Sequence, residues 1–169
     1  MGNIQLKGAI ETNYCYPRFF SDKLQVSSTC ELDSQIVKAF NGVLLMLVDP
    51  MKEEGMNSPD FQALVYFIDA DDFSIQLIEE STQGLYFPVV VYPVHRWRKI
   101  NLSEHSIMVA MLEELVHCFF RIRDESLVKQ KMLEVVQRYY PMMTRQALFR
   151  DFHDPGAPTL SSEALLSPQ

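Results

Sequence analysis

Glu113, Glu114 and His117 are the residues of this chain whose types and spacing can do chemistry together. Four positions separate Glu113 from His117, one turn of an α-helix, so on a helix the two side chains stand on one face. Glu114 is the neighbour of the first. Two carboxylates and an imidazole held a turn apart can bind a metal or move protons.

The element that positions them must be a helix over about 104–122. Ser103 is suited to its N-cap and Glu104 to its first turn, where a carboxylate favours the helix dipole. Ile107, Met108, Val109, Met111, Leu112, Leu115, Val116, Cys118, Phe119, Phe120 and Ile122 cover most of its circumference, the pattern of a buried helix. Its polar residues fall on one narrow line: Ser103, Ser106, Glu113, Glu114, His117, Arg121 and Asp124. That line reads in two ways, as a thin solvent face with weak i,i+4 ion pairs or as a polar groove on a buried helix. Lysine, common on solvent faces, is absent from this stretch.

Glu113-Glu114-Leu115-Val116-His117 resembles the His-Glu-x-x-His helix of the zincin metallopeptidases, with Glu in the first ligand position. The resemblance covers five residues directly. It implies Glu113 and His117 as metal ligands, Glu114 as the general base, and Asp124 or Glu125 as the third ligand, since that family takes one from downstream. It also implies a small sheet ahead of the helix, with an edge strand for substrate. Glu in place of His lowers the net charge of the centre and moves the preference from zinc towards manganese or iron. Glu114-x-x-His117 is also half of a di-iron bundle motif, but no second Glu-x-x-His is present.

The other elements are read from periodicity. Apolar residues recur at helical spacing from Leu32 to Met51, with Asp49-Pro50 marking the end; the alternative is a turn at Asn41-Gly42 and a strand over 43–48. Ala63–Asp69, Phe73–Leu77 and Leu85–Val94 are strand-like, and the short turns over 69–72 and 81–84 suit antiparallel hairpins. Pro88 and Pro93 put the last strand at a sheet edge or a bulge. Asp124 is a second N-cap, before a helix over Glu125–Tyr140, and Thr144–Phe152 suits a short final helix. The expected fold class is therefore α+β: a small antiparallel sheet of about three strands packed with three to four helices, zincin-like in arrangement. Residues 1–30 read as an irregular arm, 31–152 as the domain and 153–169 as a flexible tail.

Composition excludes several functions. The formal net charge of -7 disfavours a nucleic-acid binder. The one basic run, His95-Arg96-Trp97-Arg98-Lys99, reads as a solvated loop, or more sharply as an anion- or peptide-binding rim. Cys15, Cys30 and Cys118 lack metal or disulfide spacing and suit a reducing cytoplasm, with Cys118 a small buried hydrophobe. No apolar run spans a membrane and no signal-peptide core is seen. Asp69, Asp71 and Asp72 could bind a cation but no Glu completes a calcium loop; His95, His105 and His153 read as surface histidines. Two functions stand: a metal-dependent, peptidase-like hydrolase carrying Zn, Mn or Fe, or a non-enzymatic module that takes a peptide or protein at an edge strand.

Overall fold

The structure, a computed structural model, describes residues 4–10, 16–56, 62–77 and 88–152. Its elements in chain order are β1 (Ile4–Leu6), β2 (Leu24–Ser28), α1 (Ser34–Glu53), β3 (Ala63–Ile68), β4 (Ile75–Leu77), β5 (Val89–Pro93), α2 (Val94–Lys99), α3 (Glu104–Phe120), α4 (Glu125–Gln137) and α5 (Arg145–Leu148). The expected tail 153–169, His153, Cys15 and the turn over 81–84 lie outside the described residues.

The main sheet is parallel, and this corrects the expected α+β class to α/β. β3 lies between β2 and β5, with Val26 opposite Val65 and Val65 opposite Val90, all three strands running the same way. The cause is β2, inside the stretch read as an irregular arm. It runs into α1, which returns the chain to the start of β3, and a helical crossover makes the joined strands parallel. Neither expected hairpin forms among the described residues. β4 leaves β3 and pairs antiparallel with β1, Leu6 opposite Ile75, and β5 takes the free edge of β3. The zincin-like arrangement falls with the antiparallel sheet. The edge position of β5 agrees with its prolines.

All six residues of β3 are buried, as expected of a parallel strand covered on both faces. Val65 and Phe67 face the helices, in one core with Phe40, Leu112 and Val116. Leu64, Tyr66 and Ile68 face the other way and are covered by Leu6 of β1. Phe40 fastens α1 to the sheet, its ring 5.2 Å from Phe67 and 6.1 Å from Tyr92. Tyr92 on β5 donates its hydroxyl to the Met111 carbonyl at 2.9 Å, which ties α3 to the sheet edge.

Three local readings change as well. Residues 43–48 are helix, and α1 continues through Pro50 to Glu53 instead of stopping at Asp49-Pro50. A proline removes one N–H bond, but with one turn left the following amides still close on earlier carbonyls. The basic run 95–99 is no loop: it forms α2 and buries Trp97 against Tyr92, rings 5.6 Å apart. Two of its side chains meet the chain's own acidic groups. Arg98 donates to Asp69 at 3.1 Å and to the Glu31 carbonyl at 3.0 Å, and His95 lies 2.9 Å from Asp71. Asp69 and Asp71 are thereby engaged by side chains, and His95 is mostly covered instead of lying on the surface. His105 likewise is half-buried, its Nε2 2.8 Å from the Leu148 carbonyl. No helix among the described residues is long and apolar enough to cross a membrane.

Candidate metal centre

The centre is built where α3 ends and α4 begins. Ser103 caps α3, accepting from the Ser106 amide, and eight of its seventeen residues are buried, Leu112, Leu115, Val116 and Phe119 among them. That packing fixes the rotation of α3 and leaves Glu113 and His117 half-buried on one edge. The helix stops at Arg121, whose φ of 55° and ψ of 32° lie in the left-handed region. This common helix stop takes the chain out of α3. Asp124 then caps α4, its carboxylate accepting from the Leu127 amide at 2.9 Å, and Glu125 follows in the first turn.

The turn brings Glu113, His117 and Glu125 together. One ligand atom from each lies within 4.8 Å of the others, a group that could hold a metal ion. His117 Nε2 is 3.6 Å from Glu125 Oε1. Donors about 2.1 Å from a tetrahedral ion stand about 3.4 Å from one another, so the side chains would have to close on an ion to hold it. The other ring nitrogen decides the tautomer. His117 Nδ1 lies 2.7 Å from the Ile122 carbonyl, which can only accept, so Nδ1 carries the hydrogen. With Nδ1 so engaged, Nε2 is the ring atom turned to the carboxylate of Glu125. Metal-bound histidines are oriented in this way by outer partners.

The electrostatics suit a cation. Burial pushes the Glu113 carboxyl above the usual range, and the charges of Glu125 and Glu114 add to the rise. Lys129 and His117 act in the opposite direction and do not cancel it. Negative charge is thus concentrated without full compensation, the condition a divalent ion relieves.

Of the residues singled out in sequence, Glu113, His117 and Glu125 converge. Asp124 does not join them, because its carboxylate is turned to the α4 amide. Glu114 is exposed and stands outside the group, about 100° round the helix from Glu113. Its charge still reaches Glu113, and it also raises Tyr92 and Cys118. Cys118 is pushed up to about 12, mainly by burial, and so is a poor nucleophile. The polar line on α3 is divided: Ser103 and Ser106 bind Asp151 at the other end of the helix, at 3.2 and 2.9 Å. Sequence reading did not find the Ile122 carbonyl or the left-handed Arg121, because a backbone atom and a backbone angle leave no side-chain signature.

No family model matches this chain, and neither does any curated protein or solved structure. The centre is therefore argued from its own geometry.

Replacing Asp124 by Ala separates capping from ligation. The helix loses its cap, at a cost of about 1 kcal/mol. Metal affinity in the folded protein is expected to stay within about threefold of the parent, the scatter of such context effects. Thermal melts with parallel metal titrations measure both; a collapse of affinity comparable to that of a Glu125 variant would assign Asp124 to the centre.

Proposed function

We propose that Glu113, His117 and Glu125 bind one divalent transition metal, and that the chain is an atypical metal-dependent hydrolase acting on peptide-like substrates. The observation that carries this reading is the His117 ring, held through Nδ1 with Nε2 turned to the carboxylate of Glu125 and with Glu113 in the same group. Three protein donors leave a coordination position for water, the arrangement of catalytic and not structural sites. Two carboxylates and one imidazole favour manganese, iron or zinc in that order of hardness. When bound, the metal supplies an acidified water or polarises a carbonyl. In this reading Glu114, exposed and adjacent in sequence to Glu113 although outside the three-residue group, would be the proton acceptor. The metal half of the reading rests on the donor set and its holding bond; the peptide-like substrate and the role of Glu114 rest on the resemblance of Glu113–His117 to the zincin helix.

The test is hydrolysis of a mixed peptide library by the metal-loaded protein. Glu114→Gln should retain metal and lose about a hundredfold or more in rate, the usual weight of a general base. Cleavage unaffected by Glu114→Gln, or metal-loaded protein with no cleavage above the metal-free control, would remove the catalytic half of the proposal.

A further inference from the structure

Away from the metal centre, an open groove of about 510 Å³ lies between α1, the first turns of α3 and the end of α4. Its walls are mostly apolar, with Gly42, Leu45, Met46, Met108, Tyr139 and Tyr140 among them. Large apolar side chains on its rim are unusually bare: Leu45 is 56% exposed and Tyr140 59%. Contiguous apolar surface of this kind marks an interaction face.

Gly42 adds a second observation. It stands in the interior of α1, where glycine makes a helix several-fold less populated than alanine does. A Cβ there would meet nothing within 4 Å, so nothing in the described chain requires its absence. A partly exposed glycine on a helix face permits another backbone to come close. The charges say what kind of partner fits. Lys38 of α1 and Glu104 of α3 both line the groove, both are exposed, and neither forms an ion pair among the described residues. A patch carrying one unpaired charge of each sign is complementary to itself under a two-fold axis, the commonest symmetry of soluble oligomers.

We propose that a second copy of this chain occupies the groove, the two α1 helices meeting at Gly42 and Lys38 of each copy facing Glu104 of the other. The dimer face and the metal centre lie at opposite ends of α3, so either can fail without the other.

Sedimentation of the full chain from low micromolar to near-millimolar concentration tests this. The mass should pass from monomer to dimer. Leu45→Glu and Tyr140→Glu should hold the protein monomeric with an unchanged circular dichroism spectrum and unchanged metal affinity. Lys38→Glu alone and Glu104→Lys alone should each weaken association at least about tenfold by placing like charges together, and the double exchange should restore it to within about threefold. A monomer at every concentration would overturn the proposal. So would a dimer indifferent to Leu45→Glu, or a double exchange that fails to rescue the single ones.

Discussion

Replacing His117 by Ala should lower divalent-metal affinity by at least about a hundredfold, because losing merely an outer partner of a ligand costs ten- to a hundredfold. Glu113→Gln should lose metal as well, but with an opposite effect on the metal-free protein. Its carboxyl is half-buried beside Glu114 and Glu125, and its pKa is raised in the folded state. A raised pKa means that the folded state holds the proton more tightly than the unfolded state does. The stability linked to this group is therefore present at low pH and is lost as pH rises from the ordinary carboxylate range through the raised value. Above that value the parent carries the whole penalty, and Glu113→Gln should melt higher than the parent without metal. Metal should reverse the order, since binding to the native state alone raises only the parent's stability. Thermal melts across pH, with and without manganese, read both effects. A Glu113→Gln variant that melts lower than the metal-free parent at neutral pH would show that Glu113 holds the fold and is not a poised ligand.

The other large effect lies in the body that orients α3. Phe40→Ala should cost about 3–5 kcal/mol, the range for deleting a buried aromatic ring. Phe40 is fully buried and stands between Phe67 of β3 and Tyr92 of β5. Its loss opens a cavity where α1 meets the sheet, and Tyr92 is the residue that ties β5 to α3. In a chain of this size the melting temperature should fall by roughly 10 °C or more. A drop of less than about 2 °C would mean that α1 is not packed on the sheet as described. Asp151, which accepts from Ser103 and Ser106, works in the opposite sense to Glu113. Those bonds hold its carboxyl below the ordinary value, so its contribution is present at neutral pH and is lost as pH falls through the lowered value.

The helices of the centre were legible in the sequence because their signals are local. Ser103 and Asp124 cap through their own side chains, and the apolar body of α3 leaves a helix no alternative. The sheet was not legible, because strand direction depends on pairing between distant segments. Leu24–Ser28 is short and half polar, and nothing within it announces a strand. The signal that existed was Ala63–Ile68, an unbroken apolar run. Such a run suits a parallel strand buried on both faces better than the alternating pattern of a hairpin exposed on one. Pro50 misled for a related reason: proline costs its own N–H bond and crowds the preceding turn, but near a helix end it does not prevent the last turn from closing.

At the centre, residue types and spacing placed Glu113 and His117 on one face. They could not choose between Asp124 and Glu125, which adjoin in sequence. The choice is made by the turn at Arg121: it sets Asp124 against the first amides of α4 and swings Glu125 towards His117. The bond from His117 to the Ile122 carbonyl depends on the same turn and was equally invisible.

The most direct measurement is metal occupancy with its ligands identified. Protein prepared without an affinity tag, loaded with manganese and crystallised, should show one anomalous scatterer about 2.0–2.2 Å from His117 Nε2 and from a carboxylate oxygen each of Glu113 and Glu125. Elemental analysis should find about one metal per chain in the parent and none in His117→Ala. Equal metal content in the two proteins, or Glu113 and Glu125 turned to water in metal-soaked crystals, would contradict the assignment of this cluster as a metal centre.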